Sequence, residues 1–199
     1  MPDVKRIILV RHAETGGKYR GRYIGASDVP ISGCGQQQSE DLAERLAGTD
    51  LTSCLISPML RTRQTAASVA TTLGLSLEFD SDLREIDFGR WEKMSFDEIA
   101  ASYPEEVTAW AESSNDFHFP AGERVADFLT RVQSAGDRLL LRAQEGPALV
   151  VSHGGVIRAM ICRFLGLSPD QYLLFDVQPA RFTILDVYDQ GAVLKGFNL

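Results

Sequence analysis

Short apolar runs alternate along the chain with longer segments that have the periodicity of helices. Residues 7–10 and 148–151 are continuous apolar runs, typical of strands buried on both faces of a sheet. Leu55 and Ile56 indicate another short strand, and Ser57-Pro58 follows it as the N-cap and first-turn proline of a helix. Apolar positions at helical spacing predict helices over residues 36–47, 59–73, 95–102, 105–112 and 156–165, and a long amphipathic helix from residue 123 onward.

The order of these elements predicts the fold class. Residues 182–188 and 192–197 are rich in β-forming side chains and flank a short turn, so they predict a hairpin. Alternating strands and helices indicate an α/β fold, a three-layer α/β/α sandwich around a mostly parallel sheet with one antiparallel edge strand. Because no repeat or linker divides the chain, we expect a single domain over residues 1–199, with a helical lid excursion at about 90–122.

Composition narrows the classes of partner. The chain has 20 Lys and Arg against 27 Asp and Glu, a formal net charge of -7, which argues against nucleic-acid binding but not against a small anionic ligand. No apolar run approaches the roughly 20 residues of a membrane span, and the first residues lack the layout of a signal peptide. Three scattered cysteines suit a reducing compartment. We therefore expect a cytoplasmic protein without membrane association; its oligomeric state stays open, a homodimer included.

Histidine is scarce, and its placement is informative. Of the three histidines in the chain, His12 and His153 directly follow predicted strands. Arg11 precedes His12, and Arg61 lies one turn into the helix after the second strand. Each residue alone is more often structural than catalytic. Because ligands bind beyond the carboxyl ends of strands in open α/β sheets, the coincidence favours a shared functional crevice.

These residue types together suit phosphoryl transfer. Arginine presents a planar fork that matches phosphate oxygens, and an unprotonated histidine nitrogen can attack phosphorus to form a covalent intermediate. A second histidine can stabilise charge in the transition state. Glu85, in an apolar and irregular stretch, is the best candidate for the proton donor, since burial would raise its pKa. From local sequence, pairing with Arg84 or capping of a helix explains Glu85 equally well.

Five motifs in order along the chain resemble the histidine phosphatase superfamily, also called the phosphoglycerate mutase-like family. The first is similar to the family's Arg-His-Gly-Glu-Thr signature, and the others to its Gly-x-x-Asp-x-Pro-Leu-Ser segment, second-arginine motif, acid motif and second-histidine motif. In this chain they are Leu9-Val10-Arg11-His12-Ala13-Glu14-Thr15, Gly25-Ala26-Ser27-Asp28-Val29-Pro30-Ile31-Ser32, Ser57-Pro58-Met59-Leu60-Arg61-Thr62-Arg63-Gln64-Thr65, Leu83-Arg84-Glu85-Ile86-Asp87-Phe88-Gly89-Arg90-Trp91-Glu92 and Val151-Ser152-His153-Gly154-Gly155.

The resemblance implies a role for each matching residue. His12 would be the nucleophile that becomes phosphohistidine, and Glu85 the proton donor that later activates water. The phosphate pocket would be completed by Arg11, Arg61, His153 and Gly154. No metal and no cofactor are implied. Two positions depart from the family pattern: Ala13 replaces a glycine, and Lys18 stands where an asparagine commonly contacts phosphate; we expect Lys18 to point to solvent.

The segment that follows the acid motif bears on the substrate. Residues 91–116 contain one base, Lys93, among many acids, which we expect to disfavour a doubly charged small acid and to favour a phosphatase over a mutase. Residues 96–128 also resemble the alpha-ribazole phosphatases of cobalamin synthesis, which suggests alpha-ribazole 5'-phosphate as substrate. For Trp110 we expect a packing role, whereas Trp91 is left open as packing or as a stacking platform. His118 is expected to be solvated or packed rather than catalytic.

Other functions stay open. A cofactor-dependent phosphoglycerate mutase or a fructose-2,6-bisphosphatase-like enzyme would share many of the motifs. A non-catalytic module that binds a phosphorylated ligand would keep the pocket without turnover. Two histidines and a carboxylate could also form a metal triad, but the adjacent Arg11 and Arg61 would repel a cation.

Overall fold

The protein, described here by a computed structural model over residues 4–112 and 115–199, is built on a six-stranded sheet. The strands lie in the order β3-β2-β4-β1-β5-β6. The first four of these are mutually parallel, and β5 and β6 form the antiparallel hairpin at one edge. The predicted sheet is therefore confirmed. The strand bounds are β1 Lys5–Arg11, β2 Ser53–Ile56, β3 Leu77–Phe79, β4 Ala148–Ser152, β5 Phe182–Tyr188 and β6 Gly191–Gly196.

Helices cover both faces of the sheet and give the predicted three layers. Ile7 and Leu9 of β1 pack in one core cluster with helices α5 and α6, whereas Ile8 and Val10 pack in a second cluster with α1 and α2. This alternation follows from the two-residue period of a strand. Across the described ranges, no helix has the length and apolarity that crossing a membrane requires. The helices are α1 Gly33–Leu46, α2 Leu60–Leu73, α3 Phe96–Ser102, α4 Pro104–Glu112, α5 Val125–Arg142 and α6 Gly154–Leu165.

Helix α2 starts differently from the sequence prediction. Ser57 is not its N-cap: the cap position is Met59, which makes no side-chain capping bond. The backbone N–H of Leu60 instead donates to the carboxylate of Asp28 at 2.6 Å. Residues 28 and 60 are far apart in sequence, so local capping rules could not reveal this contact. The hydroxyl of Ser57 is thereby left for another partner.

Two further elements differ from the expectation. Strand β3 was missed, because it is three residues long, lies at a sheet edge and is not fully buried. Helix α6 begins at Gly154, two residues before the predicted start at residue 156. Its first two residues are glycines, which are poor helix formers and favour a loop prediction.

Trp91 is the centre of an aromatic cluster formed mostly by residues of the segment 90–122. The side chain of Trp91 is fully buried. Its ring lies 6.2 Å from that of Tyr23, 6.0 Å from that of Trp110, 5.5 Å from that of Phe117 and 5.2 Å from that of Phe119, measured between centroids. Trp91 is therefore a packing residue and not a stacking platform for a ligand.

The turn at Gly89 yields a test of close backbone packing. Gly89 has φ +55°, and a Cβ there would lie 2.2 Å from the carbonyl oxygen of Pro120; Gly74, with φ +66°, has open space around it. Gly74→Ala should cost about 1 kcal/mol for the left-handed backbone alone, and Gly89→Ala about 3 kcal/mol because overpacking adds to it. Urea unfolding of both variants measures the difference. Equal losses of stability would contradict the close contact.

Candidate active site

The carboxyl ends of three neighbouring strands form the floor of the site. Strand β4 lies between β1 and β2, with Arg11 paired opposite Ser152 and Ile56 opposite Val151. Beyond these pairs, the N–H of His12 donates to the carbonyl of Ser152 at 2.9 Å. The strand order therefore brings His12 and His153 together as the sequence suggested, with their ring centroids 5.3 Å apart.

The imidazole of His12 is held in one tautomer. Its Nδ1 lies 2.8 Å from the carbonyl oxygen of Ala13. Because a carbonyl only accepts hydrogen bonds, Nδ1 carries the proton and the lone pair of Nε2 is free. Burial, followed by the charges of Arg61 and Arg11, holds the pKa of His12 well below its ordinary value. His12 is thus a neutral imidazole with an unprotonated nitrogen.

The ring of His153 is fixed from both sides. The Nε of Arg61 donates to its Nδ1 at 3.1 Å, so Nε2 carries the proton and donates to the hydroxyl of Ser57 at 2.8 Å. His153 is fully buried, and burial, with the charge of Arg61 next, lowers its pKa well below the ordinary value. The two histidines are therefore neutral and hold opposite tautomers.

Arg61 lies behind these rings rather than on the surface of the site. Its side chain is fully buried, and its two terminal nitrogens donate to the carbonyls of Ser27 and Gly25, each at 2.9 Å. The carboxylate of Glu92 in turn accepts the backbone N–H groups of residues 25–27. Glu92 therefore orients the loop whose carbonyls hold the guanidinium of Arg61.

In front of the histidine pair lies a cavity of about 920 Å³. Of the six predicted site residues, Arg11, His12, Glu85 and Gly154 line it, while Arg61 and His153 are covered. One terminal nitrogen of Arg11 donates to the carbonyl of Val177 at 2.6 Å, and its buried Nε has no partner among the described residues. Arg11 therefore keeps an unused donor beside His12.

Glu85 is seated at the N-terminus of α6. Its Oε2 accepts the N–H of Gly155 at 2.9 Å, and its Oε1 accepts the N–H of Ile86 at 3.1 Å. A Cβ at position 155 would lie 2.4 Å from Oε1, so only glycine admits the carboxylate there. Glu85 therefore does cap a helix, one that lies 70 residues away, and the described contacts include no pairing with Arg84.

Three residues for which the sequence predicted no catalytic role lie in different environments. Lys18 is exposed, with its ammonium 4.8 Å from the ring centroid of Tyr19, and it does not line the cavity. His118 is exposed and lies 3.1 Å from the carbonyl of Gly122. Trp110 lines the cavity as well as packing on Trp91, so the expectation of packing alone was too narrow.

The charge of the cavity differs from the expectation. The acids of residues 91–116 were expected to repel a doubly charged substrate, but none of those in the described part of that segment lines the cavity. The charged lining is mostly basic, and its members are Arg11, Arg20, Arg22, Arg158 and Arg181 against Glu14 and Glu85. No set of three His, Cys, Asp or Glu side chains that could hold a metal ion occurs in the described ranges.

The fold and site define a known class of protein. The chain belongs to the histidine phosphatase superfamily (branch 1), whose family model matches residues 7–199. The expected family and its phosphatase character are thereby confirmed.

Particular relatives carry several names. Phosphoserine phosphatase 1 of Hydrogenobacter thermophilus is 31% identical over 194 residues, covering 98% of this chain and 92% of the relative. A Salmonella choleraesuis protein named "Probable phosphoglycerate mutase GpmB" is 33% identical over 166 residues, covering 81% and 75%. The solved alpha-ribazole phosphatase of Shigella flexneri aligns with TM-score 0.88 at 27% identity, covering 98% and 96%.

Sequence reasoning missed the residues that hold the site in place. Ser57, Glu92 and Arg158 each contact or line it, and none was assigned there. Ser57 and Glu92 stand inside the quoted motifs, and this was the one available signal. Arg158 lies four residues after Gly154, so the 3.6-residue period of α6 places both on one face.

The neutral histidines predict a pH dependence of stability. Unfolding restores the ordinary pKa near 6.5, so the unfolded chain binds more protons below that pH, and stability falls as pH falls through it. Each ring contributes up to about 1.4 kcal/mol per pH unit. Urea unfolding between pH 7.5 and 5 should show this slope, reduced by about half in His153→Gln. A wild-type stability that is flat over this window would refute the buried neutral pair.

Proposed function

We propose that the protein hydrolyses small phosphomonoesters in two steps through a phosphohistidine at His12. The observation that carries this proposal is the unprotonated Nε2 of a neutral His12 in the cavity wall, beside the guanidinium of Arg11. The first group is a nucleophile and the second binds a phosphate oxygen. Membership in the histidine phosphatase superfamily and the phosphatase names of its relatives support the same reaction.

In the first step, the lone pair of His12 Nε2 attacks phosphorus and the ester P–O bond breaks. Glu85, in its acid form, gives its proton to the leaving oxygen. In the second step, the Glu85 carboxylate takes a proton from water as the water oxygen attacks phosphorus. The N–P bond breaks, its electron pair returns to Nε2, and inorganic phosphate leaves.

The remaining residues supply electrostatic stabilisation. Arg11 lines the cavity and offers its guanidinium to the phosphoryl oxygens, although contact through its buried Nε needs a small rearrangement. Arg61 and His153 lie directly behind the site, where the guanidinium adds positive potential and the ring of His153 packs against that of His12. In a site shielded from water, such fixed charges act more strongly than in solution. The phosphoryl contacts predicted for Arg61 and His153 need a small rearrangement, because both are covered.

The substrate class follows from the basic cavity wall. Arg158 of α6 anchors its Nε on the carbonyl of Phe175 at 2.6 Å and is half-buried. We propose that its terminal nitrogens bind a second anionic group, such as a carboxylate, on the leaving group. The relative named phosphoserine phosphatase 1 is consistent with such a substrate. Alpha-ribazole 5'-phosphate is the other candidate, favoured by aromatic wall residues such as Trp110 and Tyr172.

Trapping of the intermediate tests the reaction. Wild-type protein quenched during turnover of p-nitrophenyl phosphate should gain the mass of one phosphoryl group, labile to acid, and His12→Ala should not. Free inorganic phosphate distinguishes a phosphatase from a mutase, which returns the group to an acceptor. Binding without an adduct and without turnover of any phosphomonoester would instead establish the non-catalytic module.

Removal of Arg158 tests the substrate class. Arg158→Met should raise KM for O-phosphoserine by roughly tenfold or more, the loss of a charge-assisted hydrogen bond, with little change for ethyl phosphate. Arg163→Met is the matched control, because Arg163 lies on the same helix but pairs with Asp137 outside the cavity. If KM rises equally for both substrates, Arg158 does not read a second anion, and alpha-ribazole 5'-phosphate becomes the leading candidate.

A further inference from the structure

The acid loop, residues 82–88, carries Glu85 but belongs to no strand or α-helix. Polar groups of such a backbone segment need partners outside it. One comes from β4, where the hydroxyl of Ser152 donates to the carbonyl of Leu83 at 2.8 Å. Three more come from a single side chain on helix α5.

That side chain is Arg131, which binds three carbonyls of the acid loop. Its Nη1 donates to the carbonyl of Asp82 at 2.8 Å and to that of Arg84 at 2.6 Å. Its Nη2 donates to the carbonyl of Glu85 itself at 3.1 Å. The planar guanidinium therefore fixes the backbone on which the proposed proton donor is mounted.

Glu123 completes this arrangement on the far side of Glu85. It accepts two hydrogen bonds from Arg131, at 2.7 and 2.8 Å, in bidentate geometry. Its Oε2 also accepts the N–H of Asp87 at 3.2 Å, and its own N–H donates to the carbonyl of Asp87 at 2.9 Å. The pair, here called the Arg131–Glu123 clamp, thus holds the chain both before and after Glu85.

The clamp is too well shielded to be an ordinary surface ion pair. The side chains of Arg131 and Glu123 are 17% and 20% exposed. The guanidinium also lies 4.9 Å from the ring centroid of Phe128, which lines the cavity. A shielded, bidentate pair restricts motion far more than a solvated one.

We propose that Arg131 is a positioning residue for proton transfer. Through the Arg131–Glu123 clamp it holds the carboxyl group of Glu85 at the position from which that group protonates the leaving group. The inference rests on the proposed function. A misplacement of about 1 Å can cost on the order of a hundredfold in rate, and general acid catalysis itself contributes roughly 10²–10⁴-fold. In the first step, the defect should therefore appear where the leaving group needs a proton.

The same helix offers a matched control. Arg138 lies two helical turns after Arg131 and ties the start of the same loop to α5 through the carboxylates of Asp80 and Asp82, at 2.7 to 2.9 Å. It makes no hydrogen bond to residues 83–88 among those the structure describes. Replacement of Arg138 removes a positive charge from the same face of α5 but leaves the hydrogen bonds around Glu85 in place.

The test compares two substrates in one sample. An alkyl phosphate needs protonation of its leaving group, whereas p-nitrophenyl phosphate does not. Arg131→Met should lower kcat/KM, which reports the first step, for ethyl phosphate by about tenfold or more and for p-nitrophenyl phosphate by less than about threefold. Glu85→Gln should show the same bias, Arg138→Met none, and Arg131→Met should add no further bias to Glu85→Gln. Because both substrates are measured on one sample, an unfolded fraction lowers both rates equally and leaves their ratio unchanged.

Other outcomes separate the two proposals. Equal losses on both substrates in Arg131→Met, or an added bias in the double variant, would overturn the positioning role while leaving the proposed function intact. A wild-type protein that turns over neither substrate would overturn the proposed function instead. If Arg131→Met yields no folded protein, Arg131→Lys decides: an intermediate bias supports positioning, and an unchanged ratio refutes it.

Discussion

The buried guanidinium of Arg61 is the constraint on which the rest of the site depends. A buried charge is strongly unfavourable unless its donors are satisfied. Carbonyls of the loop at residues 25–27 and the ring of His153 supply the partners, and Glu92 orients that loop from behind. The same positive charge, added to burial, keeps both histidines neutral. One buried cation thus accounts for the tautomer of His153 through a hydrogen bond and contributes through its charge to the unprotonated state of His12.

Long side chains that bind backbone groups recur throughout this site. Glu92 accepts N–H groups of one loop, Arg61 donates to carbonyls of the same loop, and Arg131 donates to carbonyls of the acid loop. Irregular segments can approach a ligand closely, but their peptide groups then lack partners from secondary structure. Charged side chains from other parts of the chain meet this need, since each one binds several peptide groups at once. The loops around His12 are held in place as a result.

Much of the fold was accessible from hydrophobic periodicity. The runs at residues 7–10 and 148–151 are buried neighbouring strands, and the hairpin at residues 182–197 forms the antiparallel edge. Strand β3 was missed because a short, half-exposed edge strand leaves little apolar signal. The start of α6 at Gly154 and the capping of α2 by Asp28 were missed for another reason. Their causes lie in a close approach to Glu85 and in a contact between distant segments.

The sequence by itself determined which chemistry the strand ends could carry: two histidines, two arginines and a carboxylate in four of five ordered motifs. The tertiary structure decided how that set is used. In it, Arg61 and His153 are covered, and the carboxylate of Glu85 accepts a hydrogen bond from the first turn of α6. The acids in the described part of residues 91–116 do not line the cavity, whose charged side chains are mostly arginines. The identity of a residue sets the charge that it can carry, whereas contacts between segments distant along the chain set where its side chain points. Arg131 shows the difference, because nothing local to it indicates three carbonyls near position 85.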